Sequence, residues 1–236
     1  MTTRSRNIPM TIAIAALLIC TFSCSHTKHD ENHDATQTLT SNDSLKRLTD
    51  GNERFVRHEV THPGQSPRRR SEVAGGQHPF AIVLSCADSR VPPELIFDQG
   101  LGDLFVVRVA GNTADDVALG SIEYAVEHLH VPLILVLGHE KCGAVQAALA
   151  GKPEPGHIMS VASPIEPVLP EAKQMPGDAL HNAVMLNARR VADQLRLSEP
   201  VLKKHVDAGD LRVTWGVYQL DSGRVVLEPQ MSGAGR

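Results

Sequence analysis

Short, almost purely apolar segments recur along the chain after residue 79. Three of them cover residues 80–84, 104–109 and 133–137, and their pattern is typical of strands buried on both faces of a sheet. A fourth segment covers residues 211–220, and Asp221-Ser-Gly223 separates it from the run Val225-Val-Leu227. This arrangement predicts a further strand that turns back as a hairpin.

Apolar residues at helical spacing lie between and beside these strands, in residues 45–56, 117–129 and 180–195. The predicted N-caps are Asp43 or Ser44 for the first helix and Asn112 or Thr113 for the second. Alternation of strands with helices predicts an α/β fold in which a mostly parallel β-sheet is flanked by helices.

One domain, residues 43–230, accounts for all of these elements. Within it, the segment 151–177 is rich in Pro, Glu and Ser, and we expect a loop with little regular structure there. Residues 231–236 are predicted to form a C-terminal tail.

The first 24 residues have the pattern of a secretory signal peptide. Arg4 and Arg6 precede an apolar run from Met10 to Phe22, which is shorter than the roughly 20 residues of a membrane-spanning helix. Thr21-Phe-Ser-Cys24 resembles the lipobox of bacterial lipoproteins, with Cys24 as the lipid attachment site. Cys20 is a competing site, and simple cleavage with release is the alternative. The protein is therefore expected to be exported, either periplasmic or lipid-anchored to a bacterial envelope membrane.

Residues 25–42 are polar and are predicted to be a flexible linker. His26, His29 and His33 within it allow a metal-binding tract as an alternative. A solvated linker is the favoured interpretation because nothing in the sequence predicts an ordered backbone that would hold the three rings together.

Composition narrows the function classes further. Of 236 residues, 42% are hydrophobic and 21% are charged, which argues against wholesale disorder and against a multi-span membrane protein. The formal net charge of −4 gives no basic excess for nucleic-acid binding. Four cysteines are too few for a disulfide-stapled small domain.

Candidate metal ligands follow two of the predicted buried strands. Cys86 comes directly after the first strand, and His139 and Cys142 follow the third. Open α/β sheets place their sites at the carboxyl ends of strands, so neighbouring strands can bring the three residues together. Two thiolates and an imidazole suit zinc, and three protein ligands leave a fourth position open, as in catalytic zinc sites.

Other interpretations of the same residues exist. Cys86 can be a buried thiol that packs as a small hydrophobe, and His139 a structural histidine. In an exported protein, Cys86 and Cys142 can instead form a disulfide. The joint occurrence of all three residues at two strand ends favours zinc.

Asp88 and Arg90 lie two and four residues after Cys86. A carboxylate paired with a guanidinium stays ionised and is held in orientation. Asp88 is therefore expected either to accept a hydrogen bond from zinc-bound water or, after rotation, to ligate the zinc and block the site.

The sequence resembles β-class carbonic anhydrases. The signature is Cys86-Ala-Asp-Ser-Arg90 together with His139-x-x-Cys142-Gly, and the likeness extends over the segments 48–55, 98–112 and 120–125. The resemblance implies one Zn2+ per subunit, Asp88 and Arg90 as a catalytic dyad, and reversible hydration of carbon dioxide to bicarbonate and a proton by a zinc-bound hydroxide.

The resemblance also implies substrate contacts and partners. Gln77 matches a glutamine that hydrogen-bonds substrate, with Gln65 as a rival that stands too far upstream. Gly143 matches a backbone amide that faces the substrate. Phe105 matches a hydrophobic pocket residue that can be contributed across a dimer interface.

A homodimer or larger homo-oligomer is implied, with the amino-terminal helix crossing to a partner subunit. Bicarbonate and carbon dioxide are the small-molecule partners.

The sequence leaves two alternative functions open. The first is a zinc hydrolase of the same fold that acts on carbon disulfide or carbonyl sulfide. The second is a non-catalytic lipoprotein with a structural metal or a disulfide, which predicts no open coordination position and no effect of Asp88→Ala or Arg90→Ala on turnover.

Overall fold

A five-stranded sheet organises the chain in a computed structural model that describes residues 39–229. The strands are β1 (Ala81–Ser85), β2 (Leu104–Arg108), β3 (Leu133–His139), β4 (Arg212–Tyr218) and β5 (Val225–Leu227). Their order is β2-β1-β3-β4-β5, and only the pair β4–β5 is antiparallel. The predicted mostly parallel sheet and the terminal hairpin are confirmed.

Burial explains why the central strands are so apolar. Every residue of β1 and β3 is buried because helices cover both faces of the sheet. The edge strand β2 is half-buried along most of its length.

Nine α-helices accompany the sheet in residues 39–229. They are α1 (Ser41–Val56), α2 (Pro67–Val73), α3 (Pro93–Ile96), α4 (Asp116–Leu129), α5 (Gly143–Ala150), α6 (Met159–Ala162), α7 (Leu169–Gln174), α8 (Ala179–Arg196) and α9 (Leu202–Ala208). Short 3-10 turns cover Ala110–Asn112 and Ser163–Val168. In this described part of the chain, no helix is both long and apolar enough to cross a membrane.

Helix α1 begins earlier than predicted. Its N-cap is Thr40, whose hydroxyl accepts from the Asp43 amide at 3.2 Å, while the Asp43 carboxylate accepts from the Thr40 amide at 3.3 Å. This reciprocal capping box satisfies two N–H groups of the first turn. Asp43 and Ser44 are therefore inside the helix, and neither is its cap.

The cap of α4 also differs from the prediction. Asp115 caps the helix, accepting from the Ala118 amide at 2.8 Å. Asn112 belongs to the preceding 3-10 turn and has a φ of 46°, so it is in the left-handed region and not in the extended conformation of an N-cap.

The segment 151–177 was predicted to lack regular structure, and this prediction is wrong for its second half. Residues 159–174 form α6, a 3-10 turn and α7. Ile165, Val168, Leu169 and Ala172 are buried there at helical spacing, and the segment packs on α8. Pro164 and Pro170 lie in first turns, where a missing N–H costs little, and Pro167 lies inside the 3-10 turn.

Helix α1 packs against its own chain. Leu48 is fully buried in the core, and Asn52 donates to the carbonyls of Ile96 and Gly223 and accepts from the Val225 amide. Asn52 thereby joins α1 to α3 and to the β4–β5 hairpin. Residues 41–56 thus dock on their own chain, and the implied crossing of the amino-terminal helix to a partner subunit stays a prediction.

Candidate metal centre

The three candidate ligands converge where β1 and β3 end. The two strands are direct neighbours, with Ser85 paired to Leu137. Cys86 follows Ser85, and His139 is the last residue of β3. Cys142 is the N-cap of α5, so a sharp turn through Glu140 and Lys141 brings it back to the strand end.

The donor atoms of Cys86, His139 and Cys142 all lie within 4.8 Å of one another, and all three residues are buried. Both cysteines are free thiols, so the alternative of a Cys86–Cys142 disulfide is not what the structure contains. Two sulfurs and one ring nitrogen at this spacing are the donor set of a zinc site with three protein ligands.

The orientation of His139 also fits a metal. Its Nδ1 lies 2.8 Å from the Glu140 carbonyl oxygen, and because that oxygen only accepts, Nδ1 carries the proton. Nε2 therefore has a free lone pair. Nε2 is buried and, among the described residues, has no hydrogen-bond partner, which is the state of an imidazole nitrogen presented to a metal.

Hydrogen bonds to Cys86 favour its ionised, thiolate form. Its pKa is lowered to about 4, mainly by the hydrogen bond from the Cys142 thiol and further by His139 and two backbone amides, against the opposing effect of burial. The same hydrogen bond, together with burial, raises the pKa of Cys142. Both thiols do not readily ionise together, and a bound dication would supply the positive charge that allows them to do so.

Asp88 lies beside this cluster and is held by Arg90. The guanidinium donates from Nε to Oδ1 at 2.9 Å and from Nη2 to Oδ2 at 2.8 Å, and the Arg90 amide also donates to Oδ1. These bonds lower the pKa of Asp88 to about 2. Asp88 Oδ2 is 3.9 Å from His139 Nε2, so the carboxylate is ionised and faces the site while both its oxygens are bound to arginine.

Two further residues that the sequence analysis did not single out support the Cys86 loop. Arg108, at the end of β2, donates to the carbonyls of Cys86 and Asp88 at 3.0 and 2.5 Å. The Gly111 amide donates to Cys86 Sγ at 3.3 Å. A cation at the end of an otherwise apolar strand was the available signal for Arg108. The sequence carried no signal for Gly111, because its hydrogen bond to Cys86 is donated by the backbone amide.

The predicted substrate contacts differ in their positions. Gly143 is exposed, directly follows Cys142, and its amide is in the first turn of α5, where N–H groups have no helical partner. Gln77 is exposed in the irregular segment between α2 and β1. Phe105 pairs with Ile82, four residues before Cys86 and hence roughly 13 Å away along the strand. Phe105 is therefore not close to the ligands of its own chain, and the roles of all three remain predictions.

Cys24 and the histidines 26, 29 and 33 lie outside the described residues. Gln65, the rival of Gln77, is exposed in the segment before α2.

Comparison with known proteins agrees with the site. The family profile for carbonic anhydrase matches residues 81–225. Carbonic anhydrase 2 of Mycobacterium tuberculosis is 44% identical over 197 residues, covering 80% of this chain and 94% of the relative. The carbonic anhydrase of Mycolicibacterium smegmatis is 38% identical over 194 residues, with the same coverages.

Solved structures show the same fold. The Coccomyxa β-carbonic anhydrase in complex with acetazolamide has a TM-score of 0.62 and 29% identity, covering 78% of this chain and 84% of that one. A tetrameric β-carbonic anhydrase of Sordaria macrospora has a TM-score of 0.64 at 24% identity, covering 78% and 96%. This chain therefore belongs to the β-class carbonic anhydrases, the zinc lyases that interconvert carbon dioxide and bicarbonate.

Proposed function

We propose that Cys86, His139 and Cys142 hold the zinc with which this chain hydrates carbon dioxide, and that Asp88 and Arg90 orient the reacting water. The observation that carries this proposal is the buried cluster of three donor atoms within 4.8 Å beside an ionised carboxylate. When bound, zinc supplies a Lewis acid that lowers the pKa of water to about 7.

Asp88 acts as a hydrogen-bond acceptor in this proposal. With a pKa of about 2 it is too weak a base to take a proton at neutral pH. The two parallel bonds from Arg90 fix the plane of the carboxylate, and they oppose its rotation into a metal-ligating position. Asp88 thus orients a water molecule and leaves the fourth coordination position accessible.

The substrate pocket is part of the same proposal. By family resemblance, the amide of Gly143 donates to a developing oxyanion. The space next to its Cα supports this role because it is open: a Cβ there would meet no atom within 4 Å. Gln77 and Phe105 are assigned to substrate contact by family resemblance. Because Phe105 is remote from the ligands of its own chain, its contact would be made to the site of a partner subunit.

Stopped-flow carbon dioxide hydration by the chain without residues 1–24 tests the reaction, with zinc and after chelation. We expect activity that chelation removes and zinc restores, and no bound zinc or activity in Cys142→Ala. Full turnover by that variant would contradict the ligand assignment. Faster turnover of carbon disulfide or carbonyl sulfide than of carbon dioxide would instead favour the hydrolase alternative.

We further propose a homo-oligomer. Apolar side chains of β2 are only half-buried, and Val117 and Tyr124 of α4, which packs next to β2, are exposed. The Sordaria macrospora relative is tetrameric. Light scattering is expected to give at least a dimer, which Val117→Asp weakens and the control Val226→Asp does not. A monomer at micromolar concentration would overturn this proposal.

We also propose export, with lipid attachment at Cys24. The support is the sequence of residues 1–24, a basic start followed by an apolar run and Thr21-Phe-Ser-Cys24. Expression of the full chain in a diderm bacterium with labelled palmitate is expected to label the wild type and Cys20→Ser, but not Cys24→Ser. Label on Cys24→Ser would overturn the attachment site, and a chain that remains cytoplasmic and unprocessed would overturn export.

A further inference from the structure

The sulfur of Cys86 accepts hydrogen bonds from two backbone amides. The Asp88 amide, at 3.4 Å, belongs to the same short loop as the sulfur. The Gly111 amide, at 3.3 Å, comes from the turn after β2, 25 residues further along the chain. Both bonds stabilise and orient the thiolate that a metal would bind, but only the second depends on how a separate segment is held in place.

Gly111 needs such support from its surroundings. Its φ of 73° and ψ of 15° lie in the left-handed region, and glycine adopts many other conformations at similar cost. A Cβ at this position would lie 2.8 Å from Ile165 Cδ1 and 3.1 Å from Ala144 Cβ. Packing therefore confines the Cα of Gly111, and its carbonyl oxygen accepts a hydrogen bond.

That hydrogen bond comes from Asn187 of α8. Its Nδ2 donates to the Gly111 carbonyl oxygen at 2.8 Å, across 76 residues of sequence, and the side chain is completely buried. Burying an amide is costly unless it is hydrogen-bonded, and among the described residues only Nδ2 of Asn187 has a partner, since Oδ1 is buried without one. The bond fixes the peptide that follows Gly111, and together with the packing it determines where the amide of Gly111 points.

A second buried asparagine on α8 has a different role. Asn182 Nδ2 donates to the carbonyls of Ala172, Met175 and Pro176, so it joins α7 and the following turn to α8. Both asparagines are buried amides on one helix that hydrogen-bond to backbone carbonyls. Only Asn187 contacts a residue that is itself bonded to a metal-ligand atom.

We infer that Asn187 is a positioning residue for the metal centre: by holding Gly111 in its left-handed conformation, it directs the Gly111 amide to the sulfur of Cys86. This inference rests on the proposed function, in that Cys86 is a zinc ligand. Asn187 contacts neither substrate nor metal and acts through the backbone of Gly111. Its loss is expected to change the Cys86–metal bond more than it changes the fold.

Asn187→Ala and Asn187→Leu test the inference, the first leaving a cavity and the second filling it, with Asn182→Ala as the matched control. Zinc affinity is measured by competition with a chromogenic chelator. The Co2+-substituted proteins report the thiolate-to-metal absorption band, and thermal unfolding reports stability. We expect about 10-fold weaker zinc binding and a shifted cobalt band in at least one folded Asn187 variant. Asn182→Ala should lower Tm but retain wild-type zinc affinity and absorption.

An unchanged zinc affinity and cobalt band in the Asn187 variants would overturn the inference, as would equal changes in Asn182→Ala. Failure of the proposed function looks different. A wild-type chain that binds zinc and cobalt but does not hydrate carbon dioxide contradicts the reaction, while the effect of Asn187 on the cobalt band still decides the inference. A wild-type chain that binds neither metal overturns both.

Discussion

Arg90 and Asp88 form two parallel hydrogen bonds, Nε to Oδ1 at 2.9 Å and Nη2 to Oδ2 at 2.8 Å. This paired geometry fixes the carboxylate in a way that a lysine ammonium cannot reproduce, because a point charge does not define a plane. Arg90 therefore fixes the orientation of the Asp88 carboxylate and also neutralises its charge. Substitution by lysine keeps the charge but loses the paired geometry, so it separates the two effects.

Arg90→Lys is expected to reduce kcat/KM for carbon dioxide hydration by roughly 100-fold, because an imprecisely oriented acceptor loses much of its advantage. Zinc content should remain at one per chain since Arg90 is not a ligand. Stopped-flow kinetics and metal analysis measure both quantities. Lys46→Ala, which breaks the exposed Lys46–Asp50 pair, is the control and should be fully active. Wild-type kcat/KM in Arg90→Lys would show that orientation by Arg90 is unimportant.

Gly51→Ala is expected to destabilise the fold by about 2 kcal/mol or more. An added Cβ would lie 1.8 Å from the Phe97 carbonyl oxygen, so α1 would have to move away from the core. Gly75→Ala, in the turn after α2, is the control because its Cβ meets no atom within 4 Å. That variant should be unchanged or more stable, by about 0.5–1 kcal/mol. Denaturant unfolding measures both, and equal stability of the two variants would contradict the close docking of α1.

Asp98→Asn is expected to destabilise the protein by about 2–3 kcal/mol. The buried Asp98 carboxylate accepts from Arg54 Nε at 2.7 Å, from the amide and hydroxyl of Thr61, and from the His62 amide. Asparagine tolerates the left-handed φ of 45° at this position, so the variant changes the hydrogen bonding and not the backbone preference. Equilibrium unfolding in denaturant measures the loss.

The pH dependence of stability gives a second test at Asp98. Burial alone would raise its pKa, but the bonds from Thr61, Arg54 and His62 outweigh burial and lower it. A lowered pKa means that the carboxylate stabilises the fold above the ordinary aspartate pKa, and that this contribution is lost as pH falls toward the lowered value. The difference in stability between wild type and Asp98→Asn should therefore shrink on acidification. A constant difference would contradict the ionised state.

His205 should give the opposite pH trend. Its Nε2 lies 2.9 Å from Glu127 Oε2, and its Nδ1 lies 3.1 Å from Asp210 Oδ1, with Lys204 and His128 also near Glu127. The hydrogen bond with Glu127 is the main cause that raises the pKa of His205. A raised pKa stabilises the fold below the ordinary histidine pKa, and the effect is lost as pH rises through the raised value.

His205→Gln is expected to remove this part of the pH dependence of Tm, which lies above the ordinary histidine pKa of about 6.5. The effect is small because the carboxylate partners are exposed to solvent. Hydration activity should be unaffected, since His205 is on α9 and is not among the residues of the metal centre. His181→Gln provides a control on the exposed face of α8. An unchanged profile in His205→Gln would exclude the predicted contribution.

Much of the fold was predictable because the buried strands are encoded locally. The apolar runs that became β1, β3 and β4 were located to within two residues, and the hairpin at 221–223 was recognised from its turn residues. The helix caps and the helices of 159–174 were mispredicted because they depend on reciprocal contacts. Thr40 caps α1 only together with Asp43, and Ile165 and Ala172 pack only once α8 is in place.

The sequence by itself determined the donor set: two sulfurs and an imidazole at the ends of two apolar strands, followed by an aspartate and an arginine two residues apart. Their residue types restrict the metal and the chemistry, and residue type is a local property. The tertiary structure decided that β1 and β3 are neighbours, that Asp88 is turned to Arg90, and that Asn187 and Arg108 support the Cys86 loop. These contacts join residues up to 76 positions apart, and no spacing along the chain specifies them, because they follow from which strands pair and which helices pack across them.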